Sequence, residues 1–141
     1  MSGIVVGVDG SPHSQSALDW ALAESRLRNV HVTVLAVAPA ATSIWGITGQ
    51  YDPSEETLEK VRQAATAMVD KAGASGQAVT VETVSGVPAD ELIKASDGAD
   101  LVVVAARGTG GFARLAMGSV SNQVAHHAHC PVVVVPAGVD R

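Results

Sequence analysis

Five short runs of β-branched and aliphatic residues punctuate the chain, and between them apolar positions fall at helical spacing. The first run, Ile4 to Asp9, is nearly uncharged, which predicts a strand buried on both faces of a parallel sheet. It ends at Gly10, Ser11 and Pro12, where Ser11 suits an N-cap and Pro12 the first helical position. Ala17, Leu18, Ala21, Leu22 and Leu27 then form a stripe, with Asp19, Glu24, Arg26 and Arg28 largely off it. That pattern predicts an amphipathic helix from Pro12 to Arg28.

Val30 to Ala38 reads as a second buried strand, stopped by Pro39. A loop to Pro53 follows; its Ala40–Asp52 part holds Trp45, Gly46, Gly49 and Tyr51. Loops this long inside a compact domain usually serve function or move. Ser54, Glu55 and Glu56 open a second helix, with acids complementing its dipole. Leu58, Val61, Ala65, Met68, Val69 and Ala72 form its apolar face, and Gly73 and Gly76 close it. Val79 to Val84 alternates more cleanly, as an exposed edge strand does. A short helix from Ala89 to Ser96, a strand from Ala99 to Ala106, a helix from Gly118 to Ala128 and a strand from Pro131 to Pro136 complete the pattern.

The order βαβαβαβαβ has no repeat, linker or low-complexity tract, so residues 1–141 are expected to form one α/β domain. Its sheet is open and parallel, with helices on both faces. Right-handed crossovers and the most economical winding give strand order 3-2-1-4-5, with the switch point between strands 1 and 4. Ligands of such sheets bind at the carboxyl ends of the strands at that point. The loops there are Gly7 to Ser11 and Ala105 to Ser119.

Composition narrows the partners. A net charge of −5 argues against nucleic acid, and Trp20, Trp45, Tyr51 and Phe112 are too few for a base-stacking platform. The single cysteine, Cys130, allows no internal disulfide framework and fits a reducing compartment. No basic leader and no long apolar span are visible, so a cytoplasmic protein without a membrane segment is expected.

The fourth strand runs into a glycine-rich stretch, Arg107 to Met117, and then Gly118 and Ser119. Backbone without β-carbons that leads into a helix N-terminus suits an anion. Between Asp100 and Asp140 the only fully charged side chains are Arg107 and Arg114. They favour a polyphosphate; two arginines on a solvated loop are the plainer alternative. The hydroxyls of Ser119 and Ser121 would contact phosphate oxygens or simply cap the helix, and capping alone would explain Ser119. Asp9 would hold a divalent metal shared with phosphates, accept from a ribose, or stabilise the first helix.

Several other chemistries are absent. There is no P-loop. Gly108 to Ala113 matches a loose dinucleotide pattern but follows the fourth strand and lacks the ribose-binding acid. His126, His127, His129 and Cys130 look like metal ligands, yet adjacent histidines diverge on a helix. No nucleophile elbow and no base in the glycine loop are present, so no catalytic residue is expected.

These residues resemble the universal stress protein family. Its ATP-binding members carry Gly-x2-Gly-x9-Gly-Ser/Thr after the fourth strand, and Gly108, nine residues and Gly118-Ser119 match the last two-thirds of that pattern. Val6-Gly7-Val8-Asp9-Gly10-Ser11 and Cys130-Pro131-Val132-Val133-Val134-Val135-Pro136 are also similar to the family. The resemblance implies a Rossmann-like sheet of the adenine nucleotide alpha hydrolase-like kind and a homodimer through Val132–Val135. It implies a regulatory protein of the stress response that holds ATP with Mg²⁺ or Mn²⁺ and turns over little or none. Asp9, with Gly7 and Val8 beside it, would lie next to the nucleotide and serve its metal; Val37 would lie near the adenine. Gly108, Gly118, Ser119, Val120 and Ser121 would hold phosphates and ribose. Arg107 takes the variable position before Gly108, and Ala105 stands where the motif has its first glycine. AMP or cyclic AMP are alternative ligands, and a dimeric module that binds no nucleotide is the alternative role.

Overall fold

The computed structural model describes residues 3–38, 55–74, 77–106 and 118–136. Within them strands and helices alternate as β1 (Ile4–Val8), α1 (Pro12–Arg28), β2 (Val32–Ala38), α2 (Glu55–Lys71), β3 (Val79–Ser85), α3 (Pro88–Ser96), β4 (Leu101–Ala105), α4 (Ser119–His127) and β5 (Val132–Val135). The five strands form one sheet in the order β3-β2-β1-β4-β5, and every pairing is parallel. The expected winding is therefore observed, with the switch point between β1 and β4. The Ala40–Asp52 loop with Trp45 and Tyr51, Gly76, and the stretch from Arg107 to Met117 lie outside the described residues.

Parallel strands joined by helical crossovers are covered on both faces, and this explains the uninterrupted apolar runs. Side chains alternate between the faces. Ile4, Val6, Val8, Val34 and Val103 pack with Leu18, Leu22, Val61 and Ala65 of α1 and α2. Val5, Leu35, Val37, Val102 and Val104 pack with Ala89 and Leu92 of α3 and Val124 of α4. Gly7 falls on this second face, beneath α3. The edge strand β3 alternates between half-buried and exposed positions over most of its length, as its sequence pattern suggested.

Helix α1 has the expected boundaries because both ends are chemically marked. Ser11 Oγ accepts from the Ser14 N–H, Pro12 starts the helix, and Asn29 ends it in the left-handed region at φ 56°. The N–H groups of Asn29 and Val30 both donate to the Ser25 carbonyl. Val30 and His31 are thereby drawn into the turn, and β2 begins at Val32 rather than Val30. Leu27 departs from the expected stripe and is 83% exposed. At about 100° per residue it lies roughly 120° from Ala21 around the helix. Ser25 takes the buried position instead, donating to the Leu22 carbonyl and accepting from Gln77 Nε2, both at 2.8 Å.

Strand β4 also starts later than its apolar run. The Ala99 N–H donates to the Ser96 carbonyl, closing a turn, and Asp100 exchanges backbone and side-chain hydrogen bonds with Gly3. Only from Leu101 does the chain enter the sheet, beside Ile4.

Candidate functional site

The β1–α1 turn is held by a closed set of hydrogen bonds. Asp9 Oδ1 accepts from the Ser11 N–H at 2.9 Å, an Asx turn. The Asp9 N–H donates to Ser14 Oγ at 3.2 Å, and that hydroxyl donates to the Ser11 carbonyl at 3.0 Å. Gly10 makes the reversal possible, at φ 83°. Ser11 and Ser14 are buried, while Asp9 is half-buried at the mouth of the turn. The carboxylate is thus oriented by its neighbours. Ser14, the residue that completes this arrangement, is not among the expected site residues; its place three residues after the Ser11 cap is the signal for it.

Across the switch point, Ala105 ends β4 in register with Val135 of β5. The Ala106 N–H donates to the Val135 carbonyl at 2.8 Å, and the Ala106 carbonyl accepts from the Gly118 N–H. Ser121 Oγ–H adds contacts at 3.1 Å to the carbonyls of both Ala106 and Gly118. Ala106 and Gly118 therefore meet at the end of β4.

Gly118 is the N-cap of α4, with φ −77° and ψ 169°. Of the two readings of Ser119, capping is not met: it is the first helical residue and is exposed. The amides of Ser119, Val120 and Ser121 have no acceptor within the helix. The cap residue is a glycine and offers no side-chain acceptor, and no acid lies in the first turn. Of the two helices that begin at the switch point, α1 is capped by the Ser11 side chain, whereas the α4 cap is a glycine. A bare N-terminus carries roughly half a positive charge, and an anion placed there receives N–H donors as well.

The other expected residues divide by environment. Ala105 has no left-handed backbone, since Asn29 is the only non-glycine residue with positive φ among the described residues. Its methyl packs against the α1–α2 core, the face opposite Val37. Alanine in place of glycine is therefore unstrained there. Val37 is 3% exposed and Val8 is 6% exposed; both side chains belong to the core. Gly7 serves the packing of α3. Arg107, Gly108 and Arg114 lie outside the described residues. Among the described residues no group of three or more His, Cys, Asp or Glu is placed to hold a metal ion. Asp9 alone fits the way Mg²⁺ is commonly held, by one or two carboxylates together with substrate phosphates. A separate groove of about 440 Å³, lined by Gly10, Ser11, Pro12, Gln15, Ala67, Met68 and Lys71, opens between α1 and α2 and touches neither Asp9 nor Gly118.

An open parallel sheet, covered on both faces and with an oriented acid after β1 and a glycine-capped helix after β4 at its switch point, defines a Rossmann-like α/β protein. Within that class the chain belongs to the universal stress protein family, whose sequence model matches residues 1–136. Universal stress protein Rv1996 of Mycobacterium tuberculosis is 36% identical over 151 residues, covering 95% of this chain and 48% of the relative. Universal stress protein Rv2005c of the same organism is 32% identical over 139 residues, with coverage of 94% and 47%. The chain spans about half the length of these relatives. Among solved structures, a universal stress protein in complex with cAMP superposes with a TM-score of 0.70 at 27% identity, covering 97% of this chain and 98% of the other. The universal stress protein of Archaeoglobus fulgidus in complex with dAMP gives 0.71 at 23% identity, with coverage of 96% and 98%. Among the described residues no helix is long and apolar enough to cross a membrane.

Proposed function

We propose that this chain binds an adenine nucleotide at the switch point, with phosphates on the α4 N-terminus and Asp9 on the opposite wall. The observation that carries this reading is the glycine N-cap at Gly118, hydrogen-bonded to Ala106 at the end of the strand adjacent to β1. The similar protein solved with cAMP supports the ligand class. The ligand is ATP with Mg²⁺ or Mn²⁺, and Asp9 would be the carboxylate that holds the metal and helps offset the phosphate charge. The role is regulatory, in the response to stress, and the nucleotide is held rather than consumed. Ala105, the residue that distinguishes this chain from the ATP-binding motif, does not oppose the reading, because its backbone is ordinary and its methyl faces α1.

The working unit we propose is a homodimer through β5. That strand ends the sheet, and Val132, Val133 and Val134 are only half-buried. Calorimetric titration with ATP, with and without Mg²⁺, tests the ligand, and light scattering after size exclusion tests the dimer. Binding in the micromolar range, about −8 kcal/mol, is expected. No heat at millimolar ATP, and no nucleotide released on denaturing fresh protein, would sink the proposal.

A further inference from the structure

We infer that Ser121 is a positioning residue, which sets the phosphate-facing end of α4 through the backbone and does not itself touch the nucleotide. This rests on the nucleotide reading above. A serine hydroxyl has one proton, and it binds a phosphate oxygen by donating that proton. In Ser121 the proton faces two carbonyl oxygens, Ala106 and Gly118, each at 3.1 Å. Ser121 is 2% exposed, so phosphate could reach its hydroxyl only by opening this clasp.

What the clasp holds is the crossing of two chain segments. Ala106 is anchored to β5 through its N–H, and its carbonyl receives both the Gly118 N–H and the Ser121 hydroxyl. The Gly118 carbonyl receives the same hydroxyl and also the Asn122 N–H, the first bond of the helix. Ser121 thereby fixes the Gly118–Ser119 peptide unit against the end of β4, and with it the direction of the first amides of the helix. A group that aims phosphate donors affects ligands in proportion to their phosphates.

Two measurements separate this role from direct contact and from general loss of structure. In ligand-free protein, Ser121→Ala is expected to speed hydrogen exchange at the Gly118 amide about tenfold, in line with loss of a net hydrogen bond. By calorimetry the same variant is expected to bind ATP about fivefold more weakly while adenosine affinity is unchanged. Ser121→Thr restores both values. Should Ser121→Ala fail to fold, Ser121→Cys keeps the side-chain connectivity with a weaker donor and is expected to show the same pattern. Unaltered Gly118 exchange overturns the clasp, whatever the nucleotide result. Equal losses for ATP and adenosine overturn the positioning role. Wild-type protein that binds neither ligand overturns the nucleotide reading and the positioning role together, and exchange at Gly118 still reports the clasp by itself.

Discussion

Gly7 and Leu92 stand so close that a β-carbon on the glycine would lie 2.8 Å from Leu92 Cδ1 and 3.0 Å from Cδ2. Leu92 is 4% exposed and has no open side into which to swing. The glycine is thus a seat for α3 on β1. Gly7→Ala is expected to lose about 1–3 kcal/mol of stability through overpacking. Urea denaturation measures the loss, and calorimetry of the folded variant should find ATP affinity essentially intact. A variant as stable as wild type but unable to bind would return Gly7 to the ligand site.

Ser11 closes the N-terminus of α1 and supports the turn that carries Asp9. Ser11→Ala removes the acceptor of the buried Ser14 amide and is expected to cost about 1 kcal/mol. A lowered melting temperature with unchanged secondary structure would be the sign.

Asp9 separates turn formation from charge. Asp9→Asn keeps an oxygen to accept from the Ser11 N–H, so folding is expected to be unaffected. It removes the negative charge, and the gain in ATP affinity from Mg²⁺ should disappear while affinity without metal is retained or improved. Asp9→Ala loses both features and is expected to weaken Mg·ATP about tenfold, or 1.4 kcal/mol. An Asp9→Asn protein that still responds to Mg²⁺ would move the metal to another residue.

At the opposite wall, stability and binding can be driven in opposite directions. Ser119 is exposed in the first turn of α4, where an acid complements the dipole. Ser119→Glu is expected to stabilise the fold by about 0.3–1 kcal/mol. The same carboxylate competes with phosphate, so ATP affinity should fall about tenfold with adenosine unaffected. Thermal melts and paired titrations give the two numbers.

Burial pushes the Cys130 thiol above its ordinary range; a hydrogen bond from the Val102 backbone opposes this, and the nearby Asp100 charge adds to the rise. The native state therefore favours the protonated thiol. Its contribution to stability is full below the thiol range of the unfolded chain and is lost as pH rises through the native value. Native Cys130 is expected to react with a disulfide reagent at mildly alkaline pH more slowly than in urea-unfolded protein. Asp100→Asn should narrow the difference.

Where a boundary is marked by side-chain chemistry, it can be read before any coordinates exist. Ser11 and Pro12 mark the start of α1, and the strand order follows from crossover handedness and five apolar runs. Boundaries drawn by backbone bonds are invisible in composition. Val30 and Ala99 look like strand but belong to turns, because their N–H groups find Ser25 and Ser96. The site divides in the same way. Asp9, Gly118 and Ser119 stand out as an acid, a glycine and a serine at informative spacings. That Gly118 is the cap, that Ser121 turns inward and that Gly7 supports α3 depend on which atoms meet in three dimensions.

Helix α4 spans only Ser119–His127, and isolated helices that short are marginal in water. With a glycine for its cap, it depends on a few buried contacts, chiefly Val124 and Ser121. An anion bound there supplies acceptors to the first amides and becomes, in effect, the side-chain cap that glycine lacks. Occupancy should then be written into the folding of this one segment. Slowed amide exchange through α4, ahead of any rise in the melting temperature of the whole domain, would be its signature.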